Sequence, residues 1–573
     1  MKAFDLSLVP FSCAGSYLKV GPPGADARPR RLVISTLRGL PRALGTADLY
    51  GIALVRDGRE VRYEWTASPW QLDLRAREGR AAFAFGDPDT LCFSATGVGV
   101  ELVPRHATSW ESRPAPDRCV ISDFPARCFH YLRAGRGAAL EVEVYRGPGA
   151  AKGLYNDKPR AGLFRRAGGA SGALRILRHE GRWDDPLLSA GEAAALRKAE
   201  WRAWLAKMPR VPAKYREAAE RAWFINRVSL VEPDGAITRR TLLMSKNWMT
   251  KVWSWDNCFN ALGVAKADPA LAWDQLKLMF DHQAPSGMLP DSVDDSEAIY
   301  QFVKPPVYGW TVMGLVRELG LARCRKHIKE LYGPISRLTE WWYACRDTDG
   351  DGMCQYHHGN DSGWDNATAF DQGCPTEGSD LAAHLALQTE ALSFMAGVLG
   401  KRAEARAWKR RSERQLRGLL RRAVKGDRFF SPLDGKSSAR DTSSLLNYVP
   451  MVLGHRLPER IRRRMAKDLG PGGPFLTRFG LATQAPGSPL YEPDGYWRGP
   501  IWAPSTYLIL DGLRDAGETE LARIIAERFC DMCAMQDGMY ENYEALTGKG
   551  LRDPGYTWTA SVFVLLANWL GEG

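Results

Sequence analysis

Near residue 190 the apolar residues of this chain change their spacing, and that switch restricts the possible architectures more than any motif does. Before it, short runs rich in Val, Leu, Tyr and Phe are cut by Gly, Pro and Asp. Residues 31–36, 52–56, 61–66, 81–85, 97–103 and 139–145 have the length and composition of strands, which predicts an N-terminal antiparallel β-sandwich. After the switch, apolar residues recur at helical spacing. Residues 192–207 read as a helix, and further helices fit 268–282, 307–319, 328–346, 402–423, 501–516, 521–535 and 557–570. Ser379 and Asp380 are placed to cap another helix, with Gly400 at its end. The chain is therefore expected to be mainly α. It should have a sandwich over 1–190, a helical linker over 191–211 and a toroid of paired helices over 212–573.

Composition narrows the function classes. The net charge of +12 is spread along amphipathic stretches such as 401–422 and 456–467, with no basic tail and no nucleic-acid motif, so no nucleic-acid partner is expected. No apolar run is long enough to span a bilayer, and the N-terminus lacks the apolar stretch of a secretory signal. The 11 cysteines are scattered and odd in number, which fits a reducing, cytoplasmic setting. Cys530 and Cys533 form a CxxC, but within a helical pattern that reads as a buried face. The 9 histidines form no HExxH or Cys/His ligand spacing, so no catalytic metal and no required cofactor is expected.

The chemistry concentrates in loops of the helical half, where most of the 20 tryptophans also fall. VWSWDNCFNA (252–261) offers Trp255 for stacking on a sugar ring and Asp256 for paired hydroxyls, although an Asp at a helix N-cap beside a core Trp has the same spelling. QFVKPPVYGW (301–310) puts Lys304 before tandem prolines, with Pro306 set for the first turn of the next helix. GNDSGWDNAT (359–368) holds Asp361, Trp364 and Asp365; a carboxyl beside an indole is desolvated, as a general acid requires. YWRGPIW (496–502) holds Tyr496, Trp497, Arg498 and Trp502, and the segment 538–558 holds Glu541 and Trp558. Two carboxylates in separate aromatic, glycine-bracketed loops meet the needs of glycoside hydrolysis, in which one protonates the leaving oxygen and the other activates water or attacks. Asp347, Asp349 and Asp351 in DTDGDG (347–352) occupy positions 1, 3 and 5 of an EF-hand-like loop, a candidate structural calcium site whose position 12 is His358 instead of Glu.

In these segments the helical half resembles glycoside hydrolase family 63 and its mannosylglycerate hydrolase-like relatives. SWDNCFNALGVAKADPALAWDQL, KPPV, SGWDN, YWRGPIW and YENYEALTGKGLRDPGYTWTAS carry the resemblance. It implies an (α/α)6 barrel and an inverting, exo-acting α-glycosidase acting on a small α-glucoside or α-mannoside. By that resemblance Asp365 matches the general acid and Glu541 the general base. Trp255, Asp256, Trp497, Arg498 and Trp502 match positions that shape the subsite of the non-reducing sugar. Inversion implies carboxyl groups roughly 6.5–9.5 Å apart. The chain departs from the family pattern after Asn366, where Ala-Thr-Ala-Phe stands in place of Ser-Pro-Arg. A glycoside phosphorylase and a non-catalytic carbohydrate-binding protein are the alternative readings. Oligomeric state is not encoded in any motif.

Overall fold

The computed structural model describes residues 3–22, 31–39, 47–105, 107–108, 110–123, 126–135, 139–144, 158–165, 170–433 and 443–572. Its contacts divide the chain into two units. One comprises Met1–Lys207, Phe224–Gly235 and Ser245–Thr250; the other comprises Met208–Trp223, Ala236–Met244 and Lys251–Gly573.

Among the described residues, the first unit contains two antiparallel eight-stranded sheets. In one, the order is Leu18–Gly21, Val33–Thr36, Ala47–Arg56, Gly99–Pro104, Lys158–Arg165, Ala107–Thr108, with Arg59–Val61 and Ala139–Val144 pairing beside this path. In the other it is Trp110–Ala115, Arg118–Asp123, Cys128–Ala134, Ala170–Leu177, Thr90–Thr96, Arg80–Asp87, Gln71–Arg75, Glu64–Ser68. Period-2 alternation sets the faces: Leu72 and Leu74 are buried between partly exposed Gln71 and Asp73. Ile52, Leu54, Val100 and Leu102 of the first sheet share one apolar cluster with Leu72, Phe83, Phe93 and Ile176 of the second. The expected strand over 61–66 is two strands, because the chain passes from one sheet to the other at Arg62–Tyr63. The Tyr63 hydroxyl fixes that passage by donating to the Ile52 carbonyl (2.7 Å) and accepting from Leu32 N–H (3.0 Å). Ala190–Leu205 (α1) starts at a capping box between Ser189 and Glu192, and its Ala193 and Ala194 pack with Ala84, Ala173 and Trp183.

The remaining helices are Arg216–Ser229 (α2), Asp256–Val264 (α3), Pro269–Asp281 (α4), Tyr308–Leu319 (α5), Leu321–Cys345 (α6), Ser379–Val398 (α7), Arg402–Arg422 (α8), Glu459–Leu469 (α9), Ala503–Asp515 (α10), Thr519–Ala534 (α11) and Thr557–Gly571 (α12). A 3-10 stretch, Leu445–Arg456, lies between α8 and α9. Every residue of α3 is buried, and α7, α10 and α12 are nearly so. In α8 only Trp408, Gln415 and Leu419 are buried, and in α9 only Ile461, Met465, Asp468 and Leu469. Helices apolar all round and helices with one apolar stripe are the two kinds needed for an inner and an outer layer. Neighbouring pairs run α3–α5, α5–α7, α7 with Leu445–Arg456, that stretch with α10, α10–α12 and α12–α3.

Local expectations fail where tertiary contacts outweigh local signals. Ser379 and Asp380 do not cap α7: the cap position is Gly378, and Asp380 instead accepts from the Tyr356 hydroxyl (2.8 Å). Pro306 is not in the first turn of α5, which begins at Tyr308 with Val307 as its cap. Helix α6 starts at Leu321, ahead of the expected 328, and runs through Pro334, because buried Leu331, Tyr332, Ile335 and Leu338 offset the lost backbone bond. Gly400 is left-handed (φ 76°) just beyond α7, as expected of a terminating glycine.

Candidate active site

The chemistry-bearing segments of the sequence lead into the N-terminal ends of α3, α5, α7, α10 and α12. Asp256 opens α3, Lys304 lies just before α5, Asp365 lies in the loop into α7, Trp502 caps α10, and Glu541 lies in the loop into α12. Unpaired backbone N–H groups and the positive dipole ends of these helices favour anionic groups and developing negative charge there. Asp256 is the first residue of α3, and Trp255 holds the cap position without a side-chain capping bond, which removes the N-cap reading of that Asp.

Indole rings build the wall. Trp497 stacks on Trp502 (centroids 4.0 Å, 7°), lies 4.6 Å from Trp364 and lies 6.3 Å from Trp255. Trp558 meets Trp502 edge-on at 5.5 Å and Trp255 at 5.9 Å. All five rings are buried, so the cluster is rigid before any ligand arrives. The Asp365 loop is shaped to lie on it. Gly363 is left-handed (φ 71°), and a Cβ there would meet the Trp255 ring at 2.5 Å; a Cβ on Gly359 would meet the Asp365 carbonyl at 2.0 Å. Only glycine permits both approaches.

The two candidate carboxylates have different partners. Burial raises the Asp365 carboxyl above the usual range; Lys304 opposes that rise and Asp291 adds to it. Its side chain keeps 33% exposure, whereas that of Lys304 keeps 6%. The Lys304 ammonium donates to the Asn360 carbonyl (2.6 Å), pairs with Asp291 at 3.0 Å and lies 3.9 Å from Asp365. Glu541 is pushed up to about 7, first by burial and then by Asp553, with the Tyr496 hydroxyl and Arg552 opposing. Tyr496 donates its hydroxyl to Glu541 at 3.1 Å from a left-handed backbone (φ 63°), and Arg552 covers its ring at 4.9 Å. Burial holds Asp256 well above the usual carboxylate range, with Lys304 opposing and Asp291 and Asp365 adding to the rise.

Two expected sugar contacts are instead clamps between loops. Asp361 accepts from Val303 N–H (3.1 Å), His357 N–H (3.0 Å) and the Arg346 guanidinium (2.7 Å), so its two oxygens serve the loop and not a ligand. Arg498 donates to the Asn366 carbonyl (3.0 Å) and pairs with Asp371, with Glu492 at 3.8 Å, so it ties these loops together. Asn366 completes this tie by accepting from Trp497 N–H and donating to the Gly495 carbonyl, each at 3.0 Å. Sequence reasoning missed Asp291, Tyr556 and Asp553. Tyr556 packs 5.0 Å from Trp558, and its ionisation is opposed by burial and then by Asp256 and Glu541. Nothing local marked these residues, because their roles come from partners in other loops.

The EF-hand-like segment brings Asp347, Asp349 and Asp351 within 4.8 Å of one another, a set able to hold a metal ion. Arg422 already pairs with Asp351, and Asp347 accepts from Gly352 N–H (3.1 Å). His358 is not a ligand there; its ring accepts from Asn360 N–H (3.1 Å) and packs 4.9 Å from Phe302. Among the described residues, no helix is long and apolar enough to cross a membrane.

The family model described as the mannosylglycerate hydrolase MGH1-like glycoside hydrolase domain matches residues 249–559, the stretch that holds every candidate site residue. The chain is similar to the mannosylglycerate hydrolase of Thermus thermophilus, with 24% identity over 389 residues covering 54% of this chain and 92% of that protein. It is also similar to the glucosylglycerate hydrolase of Mycolicibacterium hassiacum, with 23% identity over 416 residues covering 56% and 92%. In fold, it matches a bacterial glucoamylase crystallised with acarbose at a TM-score of 0.57, 11% identity, and coverage of 100% of this chain and 95% of that one.

Proposed function

Because the chain belongs to the mannosylglycerate hydrolase MGH1-like glycoside hydrolase family, we propose that it is an inverting, exo-acting α-glycosidase of small α-mannosides or α-glucosides, glycerate glycosides foremost. In this reading Asp365 is the general acid and Glu541 the general base. The Asp365 carboxyl gives its proton to the glycosidic oxygen as the bond from that oxygen to the anomeric carbon breaks. The Glu541 carboxylate takes a proton from the water that attacks the anomeric carbon from the opposite face. The sugar leaves with inverted configuration, and the two carboxyls return to their starting states through solvent. The buried cluster of Trp255, Trp364, Trp497, Trp502 and Trp558 backs the loops that carry the two carboxyls and holds them rigid, and Asp256 is assigned to the sugar's hydroxyls. The helical neighbour pairs, which return from α12 to α3, support an (α/α)6 barrel with this site at one mouth. The shared apolar cluster of the two sheets supports a sandwich. A calcium at Asp347, Asp349 and Asp351 would be structural, since none of these carboxylates is part of the proposed chemistry.

The observation that carries the reading is Tyr496. Its hydroxyl donates to Glu541, and its ionisation is opposed, after burial, by Glu541, Asp365 and Asp256 together. One phenol thus senses the proposed base, the proposed acid and the hydroxyl-binding carboxylate. The Tyr496 donor favours the ionised form of Glu541, the form that takes a proton from water, whereas a phosphorylase takes phosphate as its nucleophile and has no use for such a base. The Ala-Thr-Ala-Phe segment after Asn366 lacks the cation of the family pattern, so the aglycone preference is proposed to differ from that of the relatives.

Purified protein incubated with α-mannosyl- and α-glucosyl-glycerate, the matching glycerol glycosides and α-linked disaccharides should release free sugar without added phosphate. Release only when phosphate is supplied would favour the phosphorylase. Sugar binding with no release across the panel would favour a binding protein.

A further inference from the structure

We infer that Asp291 is a positioning residue that holds the Lys304 ammonium away from Asp365, so that the acid keeps its proton; the inference rests on Asp365 being the general acid. The geometry is a competition for one cation. Lys304 is enclosed and has one backbone acceptor, the Asn360 carbonyl at 2.6 Å. Of the carboxylates around it, Asp291 takes the close contact at 3.0 Å and Asp365 is left at 3.9 Å. Asp291 itself is fixed from both sides along the backbone. Its N–H donates to the Ile299 carbonyl (2.7 Å), and its carbonyl accepts from Ser254 N–H (2.9 Å), immediately before Trp255. That places the carboxylate independently of the loop carrying Asp365.

Two consequences follow for the acid. A lysine drawn fully onto Asp365 would stabilise the carboxylate and discharge the acid, since an opposite charge within about 4–6 Å favours the ionised form. The Asp291 charge also acts directly, adding to the rise of Asp365 that burial starts. The charged or titratable groups bearing on Asp365 are Lys304, Asp291 and His358; Asp256 lies in the same field, and Glu541 lies across Tyr496. Burial alone would lower Lys304, but Asp291, Asp365 and Asp256 more than offset it, so the ammonium stays charged throughout the working range. The enclosed pair also spends Lys304 on carboxylates of the protein itself.

The sign of the test follows. Activity should fall on the acid side as Glu541 takes up a proton and on the alkaline side as Asp365 loses one, the two limbs reporting the coupled pair. In Asp291→Asn, Lys304 turns to Asp365, and the alkaline limb of kcat/KM should come about one pH unit earlier. In Lys304→Met the same limb should come later. Shifts in opposite directions from the two halves of one ion pair are not produced by loosened packing, and thermal melts of both variants establish that they fold. An alkaline limb unmoved in Asp291→Asn, or moved the same way in both variants, would overturn the role. Glycosyl fluorides, whose leaving group needs no proton, separate this outcome from failure of the acid assignment. An alkaline limb that persists on the fluoride would remove Asp365 as the acid and the role of Asp291 with it. A limb that vanishes on the fluoride but ignores Asp291→Asn would overturn the Asp291 role alone.

Discussion

Asp365→Asn should lower kcat on glycosides with alkyl aglycones by about 10²–10⁴-fold, the usual contribution of a positioned proton donor. The loss should shrink sharply on aryl glycosides with acidic phenols and on glycosyl fluorides, since their leaving groups depart without a proton. Sugar affinity should change little, because the indole cluster is formed by Trp255, Trp364, Trp497, Trp502 and Trp558 without help from this carboxylate. Asparagine keeps the shape of the side chain, and Gly359 and Gly363 fix the loop conformation through its backbone. Initial rates across a series of aglycones check this. A uniform loss, independent of leaving-group acidity, would assign Asp365 to binding instead.

Glu541→Gln should remove hydrolysis by a comparable or larger factor, about 10³-fold or more, and without regard to the leaving group. Here the missing step is water activation, which even an activated glycoside needs. In Glu541→Ala, azide should restore turnover by entering the vacated space as an anionic nucleophile, giving a glycosyl azide of inverted configuration. The same variants should report on stability. Glu541 is raised to about 7 in the fold, above its usual value. Between its unfolded and folded values the native state holds the extra proton, so stability declines as pH rises, and the penalty is complete above about 7. It amounts to roughly 3 kcal/mol. Glu541→Gln should therefore melt above the wild type at pH 8 and match it near pH 4. A melting temperature lowered at both pH values would mean that Glu541 supports the fold, contrary to a carboxylate kept buried for chemistry.

Much of this molecule was legible in its sequence because its elements are long and their signals local. Helices α5, α8, α10, α11 and α12 begin and end within a few residues of their expected bounds, since apolar spacing alone sets them. The strands expected over 97–103 and 81–85 were equally plain, being bounded by turns, and form as Gly99–Pro104 and Arg80–Asp87. The site segments could be read because tryptophans and carboxylates crowd short loops. The sequence did not carry the sorting of polar residues within those loops. Asp361 and Arg498 have the residue types that bind sugars, yet both are spent on loop-to-loop bonds, to Val303, His357 and Arg346 in one case and to Asn366 and Asp371 in the other. Asp291 has an ordinary acidic spelling, and its importance arises only when Lys304 folds onto it. Such pairings are decided by tertiary approach, which periodicity and propensity do not encode. The stretch Leu445–Arg456 was missed for a similar reason: Pro450 and a left-handed Gly454 deny it a helical signature, yet it packs between α7 and α10 as a helix would.

The central claim is that two carboxylates on opposite sides of the sugar hydrolyse an α-glycoside with inversion. Proton NMR of the anomeric signals in the first minutes of turnover, before mutarotation equilibrates the product, tests it most directly. With α-mannosylglycerate or α-glucosylglycerate the β-anomer should appear first and the α-anomer only later. First appearance of the α-anomer would mean retention through a covalent intermediate, and would contradict a mechanism in which Glu541 acts on water and not on the sugar.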